Sequence, residues 1–186
     1  MRFKNFVWSF PEAIDPKICD HIIEIGLSQE KSQGMTSTGN ISQNRKSDVV
    51  WLYDPWIMDL IHPYIDEANK RAGWNLDWEP VIAIQFTEYK EGGYYDWHRD
   101  SFAEPFKDGK IRKLSATINL NDNFEGGDMY FDPEIKYGET NPVINKKGRP
   151  KGSINVFPSH IWHKVDPVTK GTRYSLVIWF KGDPFK

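Results

Sequence analysis

The chain has 186 residues, enough for one domain with a single sizeable core. Its 24 Lys and Arg against 26 Asp and Glu leave a net charge of −2, so no strong overall field draws in nucleic acid or an anionic membrane surface. Eight Trp, eight Tyr and eleven Phe can build a core or line a pocket, and a single cysteine excludes an internal disulfide.

Met1 to Phe10 lacks the apolar stretch of a signal peptide, and no segment approaches the length of a membrane span. The expectation is a soluble, cytoplasmic protein with no membrane partner. Asp15 can cap a helix whose first residue is Pro16, a position that suits proline. Ile18, His21, Ile22, Ile25 and Leu27 continue it with helical spacing. Cys19 falls among these apolar residues and reads as a small buried hydrophobe. Lys31 to Ser47 is rich in Ser, Thr, Asn, Gln and Gly and is expected to be a mobile loop. At its exit Arg45, Lys46 and Asp48 read as a solvated charge cluster, with substrate contact as the alternative. A strand over Val49 to Tyr53 follows. Asp54-Pro55 then opens a second helix, with Ile57, Leu60, Ile61, Tyr64 and Ile65 on one stripe and an end near Gly73.

From there the chain turns to short aromatic and β-branched runs separated by turn residues. Strands are predicted over 81–86, 94–98, 111–120, 128–131, 153–157, 162–165 and 172–180. Asp132 to Gly152, punctuated by Pro and Gly, reads as a long excursion. Two helices followed by about seven strands suggest a mainly β fold with helices (α+β), a sandwich or barrel with the helices on one face.

His98 and Asp100 stand two apart at the end of a predicted strand, where residues i and i+2 share a side. One imidazole, one carboxylate and one further histidine would form a facial triad with three open positions, the geometry suited to non-haem iron(II). The spacing alone also fits a surface ion pair or a turn. Two residues could supply the third ligand, His160 and His163. Arg173 lies ten residues past His163, beyond Pro167 and Lys170-Gly171, so the returning chain can bring its planar fork to the same cavity.

At these residues the chain resembles the prolyl-4-hydroxylase-like branch of the 2-oxoglutarate/iron(II) oxygenases. Tyr89, Gly92, Tyr95, His98 and Asp100 match Tyr-x-x-Gly-x-x-Tyr-x-x-His-x-Asp. Arg112 through Asn121, followed by Glu125-Gly126-Gly127-Asp128, is similar to the family's central strand and Gly-Gly turn. Phe157-Pro158-Ser159 and Trp162 through Tyr174 are similar to its distal-histidine segment. The resemblance spans about residues 81 to 182, in four blocks in the expected order. It implies a double-stranded β-helix, or jelly roll, in a single domain over 1–186. Residues 1–80 would supply helical support, packed on one sheet, and a lid loop; 81–182 would be the jelly-roll core. By the same resemblance His98, Asp100 and His163 bind Fe(II). Arg173 pairs with the far carboxylate of 2-oxoglutarate, and Tyr89 donates a hydrogen bond to it. Ser115, Thr117 and Asn119 share one strand face, and Thr117 is taken as the cosubstrate contact among them. O2 would be the oxidant, with ascorbate a candidate reductant.

The implied reaction is hydroxylation of an aliphatic carbon with decarboxylation of 2-oxoglutarate to succinate. A prolyl or other residue of a protein or peptide is the first substrate class. A free amino acid or another small molecule is the alternative, and nucleic acid is disfavoured by the near-neutral charge. Two rival readings are a non-catalytic jelly-roll binding module and a cupin-type metal enzyme that uses no 2-oxoglutarate. The complete ligand set argues against the first; Arg173 and Tyr89 argue against the second. His21, His62 and His160 carry no assigned chemistry. Trp97 and Trp162 are expected to pack, Tyr95 either to pack or to contribute to the pocket, and Arg99 to face solvent or substrate.

Overall fold

The computed structural model describes residues 5–33, 44–80, 83–102, 104–133 and 142–185. The central part of the expected lid, 34–43, lies outside the described residues.

The first half holds β1 (Trp8–Phe10), α1 (Pro16–Ser28), β2 (Ser32–Gln33), β3 (Arg45–Lys46), β4 (Asp48–Leu52) and α2 (Pro55–Arg71). The second half holds β5 (Ile84–Tyr89), β6 (Tyr94–His98), β7 (Ile111–Asn119), β8 (Glu125–Gly126) and β9 (Met129–Asp132). It continues with β10 (Val143–Ile144), β11 (Ile154–Pro158), β12 (Trp162–Val165), β13 (Val168–Lys170) and β14 (Arg173–Gly182).

Both helices start as their sequences require. Asp15 Oδ1 accepts from the Lys17 backbone N–H at 2.8 Å, and Pro16 occupies the first turn of α1, where its missing N–H costs nothing. Pro55 plays the same part in α2, and Gly73 follows its end with φ +73°. Cys19 and Ile22 of α1 and Ile57, Ile61 and Ile65 of α2 share one apolar cluster with Phe86, Leu114, Ile118, Leu176 and Ile178 of the strands. The approach is close enough that a Cβ at Gly26 would sit 2.6 Å from the Phe86 ring.

The strands form a seven-stranded sheet, β1-β11-β7-β14-β5-β4-β2, and a five-stranded sheet, β10-β9-β12-β6-β3, with β13 and β8 paired separately. Pairing is antiparallel throughout, for instance Ile154 opposite Ile118, Leu176 opposite Ile118 and Phe86 opposite Leu176. Because side chains alternate across a strand, Leu114, Ala116 and Ile118 of β7 face the helices and Ser115, Thr117 and Asn119 take the other face. That second face is buried yet polar: Thr87, Ser115, Thr117, Asn119, Asn155, Arg173 and Ser175 are all buried. A buried polar face signals a function, since apolar packing alone would not select it.

Of the expected strand at 81–86, residues 81 and 82 lie outside the described residues; the strand observed runs over Ile84–Tyr89, because pairing with β4 and β14 extends from Ile84 opposite Leu52 to Tyr89 opposite Arg173. The expected excursion Asp132 to Gly152 contains β10 and a short 3-10 turn at Lys146–Gly148. Likewise the expected loop Lys31 to Ser47 contributes β2 and β3 at its two ends. Two-residue strands carry no readable hydrophobic period; partners elsewhere in the chain create them. Among the described residues, no helix is long and apolar enough to cross a membrane.

Candidate active site

His98 ends β6 and His163 lies on β12, and the two strands pair so that these residues stand directly opposite, with ring centroids 4.1 Å apart. Asp100 departs from the expected placement. It lies beyond the end of β6, so strand alternation does not aim it. Its position comes from the backbone: the N–H groups of Asp100 and Ser101 both donate to the Ser159 carbonyl, at 3.0 and 2.9 Å. The carboxylate oxygens reach 3.7 Å from His98 Nε2 and 3.6 Å from His163 Nε2.

Local hydrogen bonds select the tautomers. His98 Nδ1 lies 2.7 Å from the Asp96 carbonyl and His163 Nδ1 lies 2.9 Å from the Ile161 carbonyl. A carbonyl only accepts, so each Nδ1 carries the proton and each Nε2 lone pair is free to point inward. One ligand atom from each of His98, Asp100 and His163 lies within 4.8 Å of the others. Asp100 is 5% exposed, and its Oδ2 has no hydrogen-bond partner. A buried carboxylate oxygen without a donor, beside two inward lone pairs, fits a divalent cation. Burial pushes the His98 imidazolium down to about 3, helped by His163 and opposed by Asp100, so the ring is neutral and able to ligate. Burial opposes the Asp100 carboxylate, but neighbouring positive charge, the Arg112 guanidinium included, outweighs it and holds the carboxyl below the ordinary range. Tyr95 stacks on His98 with centroids 3.5 Å apart, and Phe157 packs edge-on to His163 at 4.7 Å. These rings fix both imidazoles.

The triad opens on a cavity with about 390 Å³ of atom-free space, part of it continuous with solvent. Arg173 and Tyr89 reach it from the seven-stranded sheet, where they are register partners, and the guanidinium lies 5.4 Å from the Tyr89 ring centre. Arg173 is 6% exposed, donates to Ser175 Oγ at 3.1 Å, and has no ion-paired carboxylate among the described residues. Gly127, with φ +62°, lets the Gly-Gly turn pass this side chain: a Cβ there would meet Arg173 Cδ at 3.2 Å. Of the three polar residues on the central strand, Thr117 lines the cavity. Ser115 Oγ instead pairs with Ser159 Oγ at 2.9 Å. The Asn119 side chain turns to the carbonyls of Asn121 and Arg149, beside a separate small pocket.

His160 stands outside the triad, near Phe185 at 6.4 Å between centroids. His21 and His62 lie near Glu24 and Asp66 on the helix surfaces. Trp97 and Trp162 are covered by the cations of Lys164 and Arg99. Tyr95 both packs and lines the cavity. Arg45 overturns the reading of a solvated charge cluster. Lys46 is exposed and Asp48 pairs with Lys90 at 2.9 Å, but Arg45 is buried and lines the cavity. The reason is its strand: pairing of β3 with β6 sets Arg45 opposite Tyr95, whose ring lies 4.7 Å from the guanidinium carbon. Gln85, Met129 and Trp179 also line the cavity. The sequence analysis did not single them out; the even spacing of Gln85 from Tyr89, and of Trp179 from Arg173, along one strand was the available signal.

Two antiparallel sheets thus surround a His/Asp/His cluster that could hold a metal ion, with a guanidinium lining the same cavity. The sequence profile of the 2OG-Fe(II) oxygenase superfamily matches residues 84–181, more than half of the chain, and the chain belongs to that superfamily. Curated relatives that it matches include PKHD-type hydroxylases. One from Hyphomonas neptunium is 33% identical over 104 residues, covering 53% of this chain and 43% of the relative. Another, from Synechococcus sp., is 29% identical over 185 residues, covering 91% and 76%. The chain spans less than half the length of the first two curated relatives it matches. Among solved structures, a Trichoplax adhaerens prolyl hydroxylase in complex with a hypoxia inducible factor peptide fragment superposes with a TM-score of 0.75 at 19% identity, covering 95% of this chain and 84% of that one. A Pseudomonas putida prolyl-4-hydroxylase gives 0.69 at 17% identity, covering 97% and 95%. At such identities the likeness concerns the fold, and that fold is the jelly roll of the prolyl-hydroxylase-like oxygenases.

Proposed function

We propose that residues 1–186 form a single Fe(II)- and 2-oxoglutarate-dependent dioxygenase domain that hydroxylates an aliphatic carbon of a protein or peptide, with proline as the leading target. His98, Asp100 and His163 hold the iron. Arg173 takes the far carboxylate of 2-oxoglutarate, and Tyr89 and Thr117 contact the cosubstrate. The observation that carries this reading is the buried Asp100 carboxylate, with one oxygen near each inward Nε2 atom and its Oδ2 without a donor, in a cavity shared with a buried guanidinium that has no ion-paired carboxylate among the described residues.

The cluster of His98, Asp100 and His163 would hold iron, which when bound would supply the redox chemistry for oxidative decarboxylation of 2-oxoglutarate by O2 to succinate and carbon dioxide. The chain's own part is placement. The carbonyls of Asp96 and Ile161 keep both imidazoles in one tautomer, and Tyr95 and Phe157 hold their planes. The Arg173 fork fixes one end of a dicarboxylate, so its other end is presented to the triad in one orientation. Met129, Val165 and Val177 give the same cavity part of its apolar lining.

The peptide assignment rests on the relatives: the Trichoplax neighbour is described with a peptide bound. Ascorbate as a reductant, and a place in the cytoplasm, complete the proposal and rest on the family resemblance and the cysteine usage respectively. The test is turnover of 2-oxoglutarate by the iron-loaded protein, with mass spectrometry of proline-containing peptides for a gain of one oxygen. Succinate release together with an oxygenated peptide is the expected result. A protein that binds iron but never consumes 2-oxoglutarate, with any peptide, would refute the reading.

A further inference from the structure

The cavity holds a second cation besides Arg173. Arg45 is 8% exposed and lies on the five-stranded sheet, whereas Arg173 enters from the seven-stranded one. Its Nε donates to Ser47 Oγ at 2.7 Å, and its Nη2 reaches Thr87 Oγ1 at 3.4 Å. Both acceptors are neutral hydroxyls. No carboxylate is paired with Arg45 among the described residues. A guanidinium has five N–H donors, so most of its fork has no acceptor in those contacts. A buried cation is ordinarily paired with an anion, and leaving it unpaired is strongly unfavourable.

The surroundings point the same way. Arg45 and the ligand His98 share the Tyr95 ring, one at 4.7 Å and the other at 3.5 Å between centres. On the same cavity wall as Val177, Trp179 has a buried Nε1–H with no acceptor. The full-charge groups lining the cavity are two arginines and one aspartate. A divalent metal beside them brings the positive total to four. Asp100 and doubly charged 2-oxoglutarate offset three, and one positive charge is left over, at Arg45.

We propose that Arg45 binds a carboxylate of the substrate, so that this site selects substrates carrying one. The inference rests on the oxygenase reading above and deepens it, by naming the charge of the group the substrate must present. The carboxylate can be a main-chain terminus, as in a free amino acid or the last residue of a peptide, or an acidic side chain.

The experiment uses the full chain loaded with Fe(II) and 2-oxoglutarate without oxygen, so that binding is read without turnover. Two probe pairs are titrated by calorimetry and by tryptophan fluorescence. N-acetyl-L-proline against N-acetyl-L-prolinamide tests a main-chain carboxylate. N-acetyl-L-aspartate methylamide against N-acetyl-L-asparagine methylamide tests a side-chain one. At least one acid is expected to bind at least tenfold more tightly than its amide. That preference should vanish in Arg45→Gln and partly return in Arg45→Lys, whose charge survives but whose two-pronged contact does not. Affinity for 2-oxoglutarate should fall much further in Arg173→Gln than in Arg45→Gln. Equal binding of acids and amides by the wild type overturns the proposal. So does loss of 2-oxoglutarate binding in Arg45→Gln with Arg173→Gln unaffected, which would make Arg45 the cosubstrate residue. Failure of the wild type to take up iron and 2-oxoglutarate would instead defeat the oxygenase reading itself.

Discussion

The triad's side chains have separable consequences. His98→Ala, Asp100→Ala and His163→Ala each remove one of the three proposed ligand atoms, and each is expected to abolish tight Fe(II) binding in anaerobic calorimetry while circular dichroism stays that of a folded protein. His160→Ala should bind iron like the wild type, since His160 is not in the cluster. Arg173→Ala leaves a dicarboxylate end unpaired in a buried cavity. By analogy with truncated buried charge pairs this should weaken 2-oxoglutarate binding by about 2–5 kcal/mol, with Arg173→Lys milder. An unchanged dissociation constant in Arg173→Ala would reassign the residue. Cys19 is 0% exposed and burial pushes its thiol up to about 11. Native protein at pH 8 should therefore resist alkylation, and full reactivity should appear only on unfolding.

Helix starts and turns set what the elements can place. The Asp15 cap satisfies one N–H of α1, so Asp15→Ala should cost about 1 kcal/mol in urea unfolding without changing iron affinity. The Gly126-Gly127 turn has a different role. Both residues have positive φ, and Gly127 passes against Arg173. Gly127→Ala strains the turn and presses on the guanidinium stem, so it should lower stability by about 1 kcal/mol or more and also weaken 2-oxoglutarate binding. The second effect distinguishes it from Asp15→Ala. β3 illustrates the reach of a very short element: two residues paired to β6 are enough to carry Arg45 from a polar segment into the cavity.

Taken as a whole, the molecule is two sheets meeting at one polar cavity. His98 and His163 belong to the five-stranded sheet, and Arg173 and Tyr89 to the seven-stranded one. A dicarboxylate that touches both the metal and Arg173 therefore links the sheets. Metal alone should stabilise the protein, and 2-oxoglutarate should add to this only when metal is present. At a hundredfold excess over its dissociation constant the addition is about 2.7 kcal/mol, or roughly 5–10 °C in Tm for a chain of this size. Thermal unfolding with Mn(II), with 2-oxoglutarate, and with both checks it. An equal shift by 2-oxoglutarate in metal-free protein would contradict the bridged geometry.

The sequence by itself determined the two helices, through Asp15-Pro16 and Asp54-Pro55 with their apolar stripes. It also determined the longer strands, through aromatic and β-branched runs bounded by turn residues, and it named His98, Asp100, His163 and Arg173 as a set through spacing and resemblance. These are local properties, written in consecutive residues. Tertiary structure decided the rest. Strand pairing set the true ends of β5 and created β3, β8 and β10, whose sequences have no period of their own. The Ser159 carbonyl, about sixty residues away, aims Asp100 where alternation along its own strand does not. Pairing also chose Thr117 over Ser115 and Asn119 as the cavity-lining residue, and moved Arg45 from an expected solvated cluster to the cavity wall. The reason is the same in each case: burial of a polar side chain depends on which distant strand lies beside it, and no window of neighbouring residues contains that information.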